Sequence, residues 1–147
     1  MVIKMRIWIV SISSMVLIGA TMLPSAMAAD QSTAIAAAAP AAESWLKLVD
    51  KGDYHASFER ASSLFKNSIS AGDWANKVGA VRKMMGALIS RRQKNATYAT
   101  SMQGAPDGQY VVIQYDSSFE HKQSAVETVT PMLDKDGQWR VSGYYIK

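Results

Sequence analysis

The chain has no cysteine in its 147 residues and only two histidines, His55 and His121. Without cysteine no disulfide can form, so the folded part must be held by core packing alone. A lipid-modified cysteine is excluded for the same reason. Two histidines, with no HxxxH, HExxH or Asp-rich loop, exclude the usual zinc and calcium frameworks, and neither a metal nor a cofactor is expected. His55 lies four residues before Glu59 and reads as half of a surface helix pair. His121 follows Phe119-Glu120 at a strand end and reads as a loop residue. There is no GxSxG elbow for a serine nucleophile, and no glycine-rich turn between a strand and a helix for a dinucleotide or phosphate. Charge of one sign is also scarce. The formal net charge is +4, and removing Lys4 and Arg6 leaves +2. So weak a balance does not call for nucleic acid.

The N-terminus has a definite order. Lys4 and Arg6 precede an apolar run from Ile7 to Leu23, Pro24 breaks it, and Ala26-Met27-Ala28 is a small-x-small cleavage signal. This is the pattern of a secretory signal peptide over residues 1–28. The run is near the lower limit for crossing a bilayer. A soluble periplasmic or secreted product is therefore expected, with no stable membrane anchor after cleavage. Residues 29–40, rich in alanine, read as a flexible leader, in part helical where they adjoin the first expected helix.

Residues 41–147 carry the pattern of one domain. Trp45, Leu48 and Val49 place an apolar face on a helix over 41–51, ended by Gly52. Asp53 caps a second helix whose stripe is Tyr54, Phe58, Ala61 and Phe65. Asp73 is expected to cap a third, with Trp74, Val78, Val81, Met85 and Leu88 on its apolar side. The period then changes to two. Strands are expected over 91–102, 110–119, 124–133 and 138–146, separated by the turns "GAPDG" and "DKDG". Pro131 marks an edge or a bulge. Helices followed by an antiparallel meander predict an α+β domain: three helices packed on a curved four-stranded sheet.

The blocks "GDYHASFERASSLFK", "DWANKVGAVRKMMGALISRR", "DGQYVVIQYDSSFEHK" and "DGQWRVSGYYIK" occur in that order. Together they resemble a bacterial family of small exported proteins known as domain of unknown function 4019. The resemblance spans about residues 41–147. It implies a cone-shaped α+β fold of the nuclear-transport-factor-2-like or cystatin-like kind, and it brings no activity with it.

The candidate residues form three groups. Asp116 and Glu127 lie within strands, where a carboxylate facing a half-closed cone could have a raised pKa and act as a base. The opposing expectation is that each points to water or meets a lysine or arginine. Arg82, Lys83, Arg91, Arg92 and Lys94 cluster about the end of the third helix, as a patch for an anion or envelope polyanion or as a solvated face suited to the helix dipole. Parity of the last hairpin puts Trp139, Val141 and Tyr145 toward the helices and Val129, Tyr144 and Ile146 outside, where they would form a face for a protein partner or for self-association. A one-residue bulge at Pro131 would scramble this assignment. The leading expectation is a non-enzymatic binding or interaction module of the cell envelope. The alternatives are a small-pocket isomerase or hydrolase using a strand carboxylate, and an inhibitor or immunity-like partner of another exported protein.

Overall fold

A computed structural model describes residues 26–147. Residues 1–25, and with them most of the expected signal segment, lie outside the described residues. The order is α1 (Ala26–Asp50), α2 (Tyr54–Glu59), α3 (Ser63–Ser68), α4 (Ala71–Met85), β1 (Leu88–Ala99), β2 (Tyr110–Phe119), β3 (Lys122–Leu133) and β4 (Trp139–Ile146). The strands form one antiparallel sheet in the order β1-β2-β3-β4. The fold is α+β, as expected, with four helices in place of three.

Helix α1 runs straight through the segment expected as a leader. Its alanines bury more than their size suggested: Ala38 and Ala42 have no exposed surface, and Ile35 and Ala39 pack against the same core. Pro40 sits inside the helix on its exposed side, where the missing N–H leaves the carbonyl of Ala36 to water. The helix ends at Asp50, and the positive φ of 76° at Gly52 lets the chain turn.

The second expected helix is broken in two. Asp53 caps α2 as expected, accepting from the Ala56 N–H at 3.1 Å. Ser62 then caps α3 by accepting from Phe65 N–H, and its own N–H donates to the Val141 carbonyl at 2.9 Å. That long-range bond ties the break to β4. The cap of α4 is Ser70 and not Asp73. Ser70 Oγ accepts from the Asp73 N–H and donates to the Asp73 carboxylate, so Asp73 occupies the first turn of the helix. Gly86 ends α4 with φ 77°, and Leu88, expected on that helix, opens β1 instead.

Trp45, Trp74, Phe65 and Tyr144 stack at centroid distances of 5.0–6.2 Å between the helices and β4. Both indoles are satisfied by buried Ser57: Trp45 Nε1 donates to its carbonyl at 2.8 Å and Trp74 Nε1 to its hydroxyl at 2.9 Å. A buried aromatic with its N–H paired contributes area without an orphan donor.

Register decides which side chains meet this core. Val129 pairs with Tyr144, Glu127 with Ile146 and Thr130 with Gly143, but Pro131 pairs with Val141. Ser142 is thus an extra residue on β4 opposite the Thr130–Pro131 step, and its hydroxyl donates to the Thr130 carbonyl at 2.7 Å. Trp139 and Val141 lie on the helix side, as expected. The bulge brings Val129 and Tyr144 to that same side, while Tyr145, expected inside, is 62% exposed. The expected outer face of Val129, Tyr144 and Ile146 is therefore part of the interior and its margin. The true outer face carries Arg92, Asn95, Gln114, Asp116, Ser118 and Thr128, with Val112, Val126 and Tyr145 among them.

Candidate functional site

Two features stand out once the faces are fixed: a charged network under the sheet and an apolar groove at its edge. The network begins with Glu127, on the helix side of β3 and without exposed surface. Its Oε2 accepts from Arg91 Nε at 2.6 Å and Ser117 Oγ at 2.5 Å; its Oε1 accepts from Arg91 Nη2 at 3.0 Å and the Tyr144 hydroxyl at 2.7 Å. Arg91 also grips Asp50 with two bonds of 2.7 and 2.9 Å. Arg82 donates to Asp50 at 2.8 Å, lies 3.7 Å from Glu127 and sits over the Phe119 ring at 4.7 Å. Two carboxylates thus face two guanidiniums, and the formal charges cancel.

Burial and the neighbouring charges shift three groups in and beside the network. Burial alone would lower the Arg91 pKa, but its bonds to Asp50 and Glu127 outweigh burial and hold it above the ordinary arginine value. Burial, then the nearby Glu127 charge, raises the Tyr144 hydroxyl far above a free tyrosine. Tyr115, beside the network on β2, is pushed up to about 12 by burial first and then by Glu43. Four donors converge on the two oxygens of Glu127, which ties its side chain into the fold.

The groove lies between β4 and the pair α3–α4. It encloses about 500 Å³, and its walls include Ile69, Trp74, Val78, Val81, Tyr144 and Ile146. Among the described residues Lys77 is the one charged residue lining it. Two other clefts are more polar at their rims. The cleft beside Trp139, about 310 Å³, is bounded by Glu59, Arg60 and Arg140. The cleft at the mouth of the ionic network, about 400 Å³, is bounded by Glu43, Lys47, Asp50 and Arg91.

The expected residues therefore divide. Glu127 is buried and paired. Asp116 is on the outer face, 3.3 Å from Lys94 and 3.9 Å from Arg92. The two carboxylates lie on opposite faces and do not form one site. The expected basic patch is split as well. Arg82 and Arg91 turn inward to Asp50 and Glu127, which leaves Lys83, Arg92 and Lys94 exposed. Of the expected partner face, Tyr144 and Ile146 line the groove while Val129 is buried beneath.

Sequence reasoning missed Asp50, Ser117, Lys77 and Ile69. For Asp50 a signal existed: an acid in the last turn opposes the helix dipole, so it needs a partner elsewhere. No comparable signal marked Ile69, because α3 and its break depend on β4.

Comparison with known proteins adds the family. No curated protein and no solved structure matches the chain. The family described as "Protein of unknown function (DUF4019)" matches residues 41–144, from the middle of α1 almost to the end of β4. That span holds Asp50, Arg82, Arg91, Glu127 and Tyr144, and with them the whole ionic network. The chain belongs to the DUF4019 family.

Proposed function

We propose that this protein is a non-catalytic binding module of the bacterial cell envelope, exported by its N-terminal signal segment and soluble after cleavage. The groove beside β4 carries this reading. Its walls are apolar, it is of ligand-pocket size, and it is formed by the aromatic core on one side and a helix on the other. An isomerase or hydrolase would need a free carboxylate in a cavity. Glu127 is saturated by hydrogen bonds, and Asp116 lies on an open face beside Lys94.

The export reading rests on Lys4, Arg6, the apolar run and Ala26–Ala28. Among the described residues no helix is long and apolar enough to cross a membrane. The comparison with cone-shaped, nuclear-transport-factor-2-like or cystatin-like sheets is supported by a register shift in each strand pair, since bulges bend and twist sheets.

Site-specific photo-crosslinking tests the reading. A benzophenone side chain at Val81, in the groove, should capture a partner from the organism's envelope fraction. The same group at Thr128, on the polar outer face, should not. Equal capture from both positions, or none from Val81, would remove the groove as the binding surface.

A further inference from the structure

We infer that the groove accepts an extended peptide, which adds to the free edge of β4 as a fifth strand. This rests on the binding-module reading above and specifies its ligand. The first observation is the backbone of β4. Lys147 and Val126 exchange both main-chain bonds, at 2.9 and 3.1 Å. In an antiparallel ladder bonded pairs alternate, so Tyr145 bonds to Thr128 while Tyr144 and Ile146 turn their N–H and C=O groups away from β3. Upstream the edge is closed, because Ser62 N–H donates to the Val141 carbonyl. Among the described residues the open stretch is Gly143–Ile146.

The second observation is how differently the two sheet edges are protected. The β1 edge carries Arg91, Arg92 and Lys94 and two register shifts. Charges and bulges of this kind keep an edge from pairing. Gly143–Ile146 carries no charge and no proline, and it borders the apolar groove.

The third observation is the match between edge and groove. Residues of an added strand that pair with Tyr144 and Ile146 would point to the same side as those two, into the groove toward Val78 and Val81. Main-chain bonds would supply affinity, and the groove would select apolar residues two apart. Lys77, the only charge in the lining among the described residues, selects for a carboxylate on the peptide. A second copy of this chain fits less well. Its β4 carries its own α3 and α4 on the same face, and its groove lining offers a second Lys77 and no acid.

Random heptapeptides displayed on phage and selected on the purified protein test this. The enriched peptides should have apolar residues at alternate positions and an aspartate or glutamate. Binding should slow hydrogen exchange at the Tyr144 and Ile146 amides. Methylating the peptide nitrogens that face β4 should weaken binding about tenfold or more, since each lost bond to a desolvated partner approaches a factor of ten. Lys77→Glu should weaken acidic peptides about tenfold and leave neutral ones unchanged.

Equal binding of N-methylated peptides would overturn strand addition while leaving the groove as a binding surface. So would enrichment of a helical three-and-four spacing, or no enrichment at all while the Val81 crosslink persists. Loss of the crosslink as well would instead remove the binding-module reading. A peptide-free dimer by light scattering, abolished by Ile146→Pro in a protein that keeps the parent's urea midpoint, would replace the peptide with a second copy and overturn the proposal.

Discussion

Glu127→Ala separates a structural carboxylate from a catalytic one. The substitution leaves Arg91 Nε, Ser117 Oγ and the Tyr144 hydroxyl without their acceptor and takes one of two from Arg91 Nη2, around a side chain with no exposed surface. Removing one partner of a buried ion pair costs about 3–5 kcal/mol. Arg91 keeps its two bonds to Asp50, which places the expected loss toward the lower end of that range. Domains of this size hold only about 5–15 kcal/mol in reserve. With a urea slope of about 2 kcal/mol/M, the midpoint should fall by about 1.5–2 M. The assay is equilibrium urea unfolding followed by tryptophan fluorescence, for which Trp45 and Trp74, both against Tyr144, are natural probes. The double variant Glu127→Met/Arg91→Met should recover part of the loss, because it removes both members of the pair. A catalytic carboxylate behaves differently: sites kept for chemistry are often strained, and replacing them tends to stabilise the protein. A midpoint for Glu127→Ala within about 0.2 M of the parent, on the order of the error of the method, would refute the structural assignment.

Three further outcomes are expected. Removing residues up to Pro40 deletes half-buried Ile35 and buried Ala38, which should cost about 2 kcal/mol at ~25 cal/mol per Å² of apolar surface; an unchanged urea midpoint would show that the start of α1 adds nothing to the domain. Trp139 is half-buried against the core and not enclosed, so Trp139→Ala should cost about 2 kcal/mol, below the ~3–5 kcal/mol of a buried aromatic; a loss above that range in urea unfolding would contradict this placement. At the last hairpin, hydrogen bonds from Arg140 hold Asp136 at about 2, and bonds from Ser63 and Arg140 outweigh burial to hold Asp134 below its ordinary value. Both folded pKa values lie below the unfolded ones, so their stabilisation is present above pH ~4 and is lost as pH falls toward 2. An NMR titration of Arg140→Ala should move the Asp136 midpoint up toward 3.8, its unperturbed value; an unmoved midpoint would refute the pairing.

Local pattern carried most of the elements, and tertiary contacts decided what it could not. Strand β2 lies where alternation and its flanking turns place it, at Tyr110–Phe119. The caps at Asp53 and Gly52 follow from local chemistry. The break at Ser62 does not, because the apolar stripe from Tyr54 to Phe65 runs on at helical spacing and the bond that stops it comes from Val141. Alanine hid the start of α1: its side chain is too small to mark a face by hydropathy, yet small enough to let the helix approach the sheet closely. Parity failed at one residue, Ser142. Trp139 was placed correctly, but the bulge opposite Pro131 reversed the faces for Tyr144 and Tyr145. Glu127 was legible as an unusual acid among Val126, Thr128 and Val129. Its partners come from three other elements, and no spacing in the chain announces them. The groove was the least legible feature, since it belongs to the gap between α4 and β4 and not to any one segment.

The affinity of Val81→Asp for the partner captured at the groove tests the central claim most directly. Val81 lines the groove and is only half-buried, so the variant should fold with a urea midpoint near the parent's. A carboxylate left against apolar walls should weaken binding at least tenfold, or about 1.4 kcal/mol. Parent-like affinity in a folded Val81→Asp protein would contradict the account and move the binding surface elsewhere on the molecule.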